Sequence, residues 1–89
     1  MKNIYMKELN KLATGLMKRN IPFSFVAFMN GGKIDWETCD AICHDGSYGK
    51  EAGLLEIMGE LVDKTKTMDT VEGCLTAEEI LNRIDKKGV

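Results

Sequence analysis

A β-hairpin is predicted by the stretch Phe23-Ser24-Phe25-Val26-Ala27-Phe28-Met29-Asn30-Gly31-Gly32-Lys33-Ile34-Asp35-Trp36-Glu37. Its first half is aromatic and β-branched, and it is too short for a typical helix. Asn30-Gly31 favours a two-residue hairpin turn because both central residues of that turn need positive φ. After the turn, apolar and acidic residues alternate. Ile34 and Trp36 are therefore expected to face the helices, and the acidic residues beside them to face water.

The next segment, Cys39-Asp40-Ala41-Ile42-Cys43, is either a third strand or a bent continuation of the second strand. The alternation of apolar and polar residues is interrupted near Thr38, where a bulge or turn is expected. The sequence leaves both arrangements open.

Helices are predicted on both sides of the hairpin along the chain. From about Ile4 to Arg19, apolar residues recur at the three- and four-residue steps of one helix face. Pro22 ends this helix because proline disfavours the α conformation of the residue before it. A second helix is expected from Glu51 to Val62. Its apolar stripe consists of Leu54, Leu55, Met58, Leu61 and Val62.

The C-terminal part of the chain carries a helix-start signal. After a polar loop from Asp63 to Thr70, residues 71–75 are expected to be extended. Thr76-Ala77-Glu78-Glu79 then matches a capping box, in which the threonine hydroxyl and the glutamate carboxylate satisfy backbone donors. A third helix is expected to follow, with Ile80, Leu81 and Ile84 on its apolar face.

These elements predict one α+β domain over residues 1–89. Its architecture is an N-terminal helix, an antiparallel β-hairpin or three-stranded sheet, and then two helices packed on one face.

Composition excludes several classes of protein. Of 89 residues, 44% are hydrophobic and 29% are charged, which is ordinary for a small globular domain. The net charge of −2 gives no general attraction to nucleic acid or anionic lipid. No apolar run reaches the roughly 18–20 residues that span a bilayer, and the N-terminus becomes charged where a secretory signal would be apolar. We therefore expect a cytoplasmic protein whose partner is neither a membrane nor nucleic acid.

The cysteines and the one histidine do not form a recognisable metal or catalytic motif. Three residues separate Cys39 from Cys43, whereas a zinc knuckle has two between its ligands. On a strand, Cys43 and His44 point to opposite faces, which also separates them as a nucleophile and base. His44 and Ser47 could meet across a turn, but no buried acid is evident to orient the histidine. No metal, cofactor or catalytic residue is predicted, and the thiols are expected to be free.

The polar residues from His44 to Gly53 are the best candidates for a binding site. If Asp45 or Ser47 caps the predicted second helix, backbone N–H groups at its start point outward and can bind an anion. The spacing is not that of a P-loop, because only two residues separate the first two glycines and a glutamate follows the lysine. The alternative is a turn that needs glycine for its geometry alone. The predicted ligand- or partner-binding residues are His44, Ser47, Tyr48, Gly49 and Lys50.

Two blocks of the sequence resemble small hypothetical proteins encoded by phages and prophages of Firmicutes. The first is Asp40-Ala41-Ile42-Cys43-His44-Asp45-Gly46-Ser47-Tyr48-Gly49-Lys50-Glu51-Ala52-Gly53-Leu54-Leu55-Glu56-Ile57-Met58-Gly59, and the second is Val71-Glu72-Gly73-Cys74-Leu75-Thr76-Ala77-Glu78-Glu79-Ile80. This chain has Cys74 where an aromatic residue is common. The resemblance implies an accessory gene of a mobile element and supplies no established activity.

Three hypotheses about function follow. The first is a non-enzymatic accessory protein that binds and modulates a host protein, such as a defence nuclease. The second is a small-molecule binder that sequesters a phosphate-bearing nucleotide signal at the start of the predicted second helix, with a homo-oligomer enclosing the ligand. The third is a structural or regulatory domain with an ordinary surface.

Overall fold

The computed structural model describes residues 3–65 and 70–87, and the predicted loop from Asp63 to Thr70 lies partly outside these ranges. Two α-helices and five strands follow one another along the chain. They are α1 (Asn3–Lys18), β1 (Ser24–Phe28), β2 (Gly31–Trp36), β3 (Cys39–His44), β4 (Leu55–Met58), β5 (Val71–Leu75) and α2 (Ala77–Lys87). A short 3-10 turn, Lys50–Ala52, lies between β3 and β4.

The strands form one antiparallel sheet in the order β1-β2-β3-β4-β5. The predicted hairpin is present, with Phe28 opposite Gly31 and Ser24 opposite Asp35. Its two turn residues are Met29 and Asn30, so the expectation that Asn30 and Gly31 are the central residues is wrong by one position. Gly31 is the first residue of β2, with a φ of 148°. Cys39–His44 is a third strand and not a continuation of the second, because the chain turns at Glu37 and Thr38. Glu37 adopts a φ of 44° there. The predicted α+β class is confirmed, and the sheet has two more strands than the three expected.

The predicted helix from Glu51 to Val62 is wrong. Gly53 and Gly59, at φ values of 71° and 117°, adopt the left-handed conformation that interrupts a helix. Between these two glycines, Leu55 and Ile57 are buried while Met58 is exposed, which is the two-residue period of a strand. Pairing with strands on both sides therefore overrides the local helical stripe.

Both helices pack on one face of the sheet, which we call the inner face. Eight sheet residues on that face are at most 9% exposed: Ile34, Trp36, Cys39, Ala41, Cys43, Leu55, Ile57 and Leu75. Phe25 and Ala27 of the edge strand β1 are on the same face and are more exposed. Helix α1 contributes Tyr5, Leu9, Leu12 and Leu16 to the same core, and α2 contributes Ala77 and Ile80. The expected inward orientation of Ile34 and Trp36 is confirmed.

The other side of the sheet, the outer face, has no buried side chain. Strand alternation places on it Ser24, Val26, Phe28, Lys33, Asp35, Asp40, Ile42, His44, Glu56, Met58 and Val71. All of these residues are partly or fully exposed. One layer of helices thus leaves half of the sheet surface in contact with solvent.

A buried carboxylate connects the two helices. Glu8 of α1 is 5% exposed, and its Oε1 accepts a hydrogen bond of 2.8 Å from the backbone N–H of Ala77, the first residue of α2. The predicted capping box is also present, since the N–H of Glu79 donates to Thr76 Oγ1 and the N–H of Thr76 donates to Glu79 Oε1. The long-range hydrogen bond to Glu8 and the local bonds of the capping box together satisfy backbone N–H groups at the start of α2.

A second buried carboxylate attaches α2 to β5. Arg83 makes a two-pronged contact with Glu72 at 2.7 and 2.8 Å and also donates to the carbonyl of Leu61. The Arg83 guanidinium lowers the pKa of the Glu72 carboxyl, with burial opposing it. Two residues further along α2, Asp85 accepts a similar two-pronged contact from Arg19.

Replacing Glu8 by alanine leaves the Ala77 N–H without its acceptor in a buried position. We expect Glu8→Ala to lower the free energy of unfolding by about 1–3 kcal/mol in urea titration, the usual cost of an unsatisfied buried donor. The control is Glu78→Ala, which removes an exposed charge from the same helix start. Equal losses in the two variants would contradict a capping role for Glu8.

The contact between Glu72 and Arg83 also predicts how stability depends on pH. The pKa of Glu72 is lower in the folded protein than its ordinary value of 4.5, so the contact stabilises fully above about pH 4.5 and is lost as pH falls. Glu72→Gln is therefore expected to reduce the slope of unfolding free energy against pH below about 4.5. Glu78→Gln serves as the exposed control. An unchanged slope in Glu72→Gln would refute the assignment.

Candidate functional site

The loop after β3 is held by its own hydrogen bonds. Ser47 is 3% exposed, and its hydroxyl donates to the carbonyl of His44 and accepts from the N–H of His44, both at 2.9 Å. The N–H of Gly46 donates to His44 Nδ1 at 2.9 Å. Asp45 accepts a hydrogen bond from the hydroxyl of Tyr5 at 2.8 Å, which raises the pKa of Tyr5 to about 12. The loop is a structural turn attached to α1.

Two glycines give this loop its shape. Gly49 and Gly53 have φ values of 93° and 71°, and they bracket the 3-10 turn Lys50–Ala52. A Cβ at Gly53 would lie 2.6 Å from the carbonyl oxygen of Ile4, and one at Gly49 would lie 2.8 Å from the Cα of Cys74. Side chains are excluded at both positions by backbone conformation and by space.

The predicted anion site is not formed. It required a helix starting near Tyr48, and the structure has only the three-residue 3-10 turn Lys50–Ala52. The N–H of Tyr48 donates to Glu56 Oε1 at 3.2 Å, so a carboxylate of the chain already occupies this position. Lys50 lies 3.9 Å from Glu51. The hypothesis of a nucleotide site at a second-helix N-terminus loses its physical basis.

The five predicted site residues therefore have different roles. Ser47 and Gly49 are structural. His44 belongs to the outer face, and Tyr48 is 63% exposed. The contact between the Tyr48 N–H and Glu56, an outer-face residue, places Tyr48 at the border of that face. The structure thus brings His44 and Tyr48 to one surface and assigns no such place to Lys50.

Apolar side chains occupy much of the outer face. Val26 and Met58 are 52% and 47% exposed, and Ile42 lies between them on β3 with partial exposure. The rings of Phe28 and His44 lie 6.1 Å apart and tilted by 52°. They meet across Gly31, which pairs with both residues and has no side chain to separate them.

Charged side chains alternate with these apolar groups. Lys33 Nζ lies 3.6 Å from Asp35 and 3.9 Å from Asp40, and Glu56 is the third carboxylate on the face. Burial raises the pKa of Asp40, and although Lys33 opposes this, the charges of Asp35 and Glu56 add to it. The outer face therefore combines apolar groups with an excess of negative charge.

The structure keeps the thiol of Cys43, the ring of His44 and the hydroxyl of Ser47 apart. Cys43 is fully buried on the inner face, where burial raises its thiol pKa, while His44 lies on the outer face. Ser47 Oγ is bonded to the backbone of His44 and not to its ring. Within residues 3–65 and 70–87, no group of three or more His, Cys, Asp or Glu side chains is placed to hold a metal ion.

A groove of about 320 Å³ lies at the other end of the sheet. Its apolar lining includes Ile21, Trp36 and Leu61, and its polar border includes Glu60 and Lys87. The last two are joined by an ion pair of 2.6 Å. Because these residues are distant in sequence, no local pattern indicated the groove.

Comparisons with protein-family models, with curated proteins and with solved structures give no match. Among the described residues, neither helix combines the length and apolar character needed to cross a bilayer.

The structural role of Ser47 predicts a stability effect. We expect Ser47→Ala to lower the free energy of unfolding by about 1–3 kcal/mol, because the His44 N–H loses its acceptor. Ser24→Ala, on the exposed edge strand, is expected to change it by no more than about 0.5 kcal/mol. Thermal or urea unfolding of both variants measures the difference. A Ser47→Ala protein as stable as Ser24→Ala would contradict the role assigned to this hydroxyl.

Proposed function

We propose that this chain is a non-enzymatic accessory protein of a phage or other mobile element that binds and modulates a host protein through the outer face. The observation that carries the proposal is a sheet face on which apolar side chains remain exposed because both helices lie on the opposite side. A face on which exposed apolar groups alternate with charged ones has the mixed composition of non-obligate protein interfaces. The resemblance to Firmicute phage proteins supplies the context of a host cell.

The apolar groups on this face are of the kinds that dominate protein interfaces. Met58 and Val26 present nearly half or more of their surface to solvent, and Tyr48 is more exposed still. Methionine and tyrosine are enriched in interface cores because both have a large contact area. The methionine side chain adapts its shape, and the tyrosine ring is rigid. Phe28 and His44 extend the patch toward the loop after β3.

The charges on the face indicate the chemistry of the partner. Two carboxylates, Asp35 and Asp40, lie 3.6 and 3.9 Å from the amino group of Lys33, and a third, Glu56, lies on the same face opposite Ile42. A partner surface with arginine or lysine groups among apolar ones complements this pattern. Host enzymes that act on nucleic acid, defence nucleases included, carry basic surfaces of this kind. A protein that covers such a surface modulates the enzyme without needing a catalytic site of its own.

The proposal predicts that one outer-face substitution abolishes partner binding. Met58→Glu replaces an exposed apolar side chain of the outer face by a charge, and it is expected to reduce recovery of a stoichiometric partner from Firmicute host lysate by at least about 10-fold, or 1.4 kcal/mol. The matched control, Met17→Glu, makes the same change on α1, where Met17 is 60% exposed. It is expected to bind like the original chain.

Circular dichroism and urea unfolding establish that both variants are folded before binding is compared. Failure of the original chain to recover any stoichiometric partner would overturn the proposal. Equal recovery with Met58→Glu and Met17→Glu would exclude the outer face as the binding surface.

A further inference from the structure

The two edges of the sheet differ in how they are protected. On β5, the pairing with β4 is interrupted by a register shift, and Cys74 has a φ of 62°. The N–H of Cys74 donates to the carbonyl of Tyr48 at 3.3 Å, so the loop after β3 lies against this edge. Irregular pairing and a covering loop are common means of preventing a second chain from adding to an edge strand.

The β1 edge has none of these protections. Residues Ser24–Phe28 pair with β2 without a register shift. The strand contains no proline and no charged residue. Met29, directly after it, is 93% exposed, and Val26 is 52% exposed. An uncharged, regular and apolar edge presents unpaired backbone groups to another strand.

We propose that β1 pairs with β1 of a second copy of this chain. The two strands run antiparallel about a two-fold axis at Val26, so that the five-stranded sheets of the copies become continuous. This proposal does not depend on the identity of any host partner.

The residues that this register brings together are complementary. Phe25 lies opposite Ala27 of the second copy, which matches a large side chain with a small one. Ser24 lies opposite Phe28. Val26 lies opposite itself. Cross-strand pairs of these kinds are the unit of sheet stabilisation.

The charges near β1 are compatible with a second copy of this chain as the partner of that edge. The nearest charged residue in line with Val26 is Lys33 on β2. In the paired arrangement, the two Lys33 residues are three strand spacings apart, or about 14 Å. That distance exceeds a Debye length of about 8 Å at physiological ionic strength, so their repulsion is screened.

Pairing through β1 gives the dimer a larger outer face for partner binding. Continuous pairing places the two outer faces side by side, with the Val26 side chains adjacent at the junction. A short strand pair buries a small area, so association is expected to be weak and concentration-dependent.

Sedimentation velocity of the full chain tests the proposal. We expect a mainly monomeric protein at about 10 µM and a mainly dimeric one at about 1 mM, the range of small, transient interfaces. Ala27→Lys charges the exposed edge and is expected to leave a monomer at both concentrations. Met17→Lys, on α1, is the control and is expected to dimerise. A monomeric original chain at the higher concentration overturns the proposal, as does dimerisation of Ala27→Lys equal to that of Met17→Lys.

Disulfide trapping tests the register. In a Cys74→Ser background the remaining natural cysteines are buried. Val26→Cys places two thiols opposite each other with Cα atoms about 4.5–5.5 Å apart, within disulfide range. Diamide, as a two-electron oxidant, is expected to join them as a covalent dimer. Met29→Cys in the same background places the two thiols about 20 Å apart, or six residues along the strands, and is expected to stay monomeric. Equal cross-linking of the two variants overturns this register.

Discussion

The packing of two helices on one face of a five-stranded sheet is the constraint on which the rest of the structure depends. Strand alternation requires that a sheet with one buried side has a second side facing away from it, and this chain has no third layer among its described residues. The hydrogen bond between Glu8 and the start of α2 fixes one helix relative to the other. The same arrangement that builds the core therefore exposes Val26, Ile42 and Met58 on the outer face.

Much of this fold follows from local sequence signals. The hairpin between β1 and β2, the alternation around Trp36 and the capping box at Thr76 were all predictable, although the hairpin turn lies at Met29 and Asn30, one position before the predicted one. The segment from Glu51 to Val62 was predicted to be a helix because its apolar residues fit a helical stripe. Two glycines with positive φ and the hydrogen bonds of neighbouring strands outweigh that pattern. In such a segment the choice between helix and strand depends on neighbouring strands that are distant in sequence. A short stretch of sequence does not contain those partners.

The candidate site was predictable only in part. The loop from His44 to Gly53 combines glycines with polar residues, and these groups serve the turn: Ser47 bonds to the backbone of His44, and Gly49 and Gly53 supply backbone shape. The surface on which Met58, Ile42 and Val26 lie together requires knowledge of which strands are neighbours. These residues lie far apart in the sequence. The order and pairing of strands β1 to β4 place them on one face of the sheet. The proposed site is thus a property of the topology, with His44 and Tyr48 at its border.

The central claim is that the outer face is the surface that a host partner covers. Hydroxyl-radical footprinting of the chain, free and saturated with the captured partner, measures this directly because methionine side chains report their own exposure. Met58 and Met17 are both exposed in the free chain and lie on opposite sides of the molecule. Our account predicts that the partner lowers the oxidation rate of Met58 and leaves that of Met17 unchanged. Protection of Met17 with no change at Met58 would contradict it.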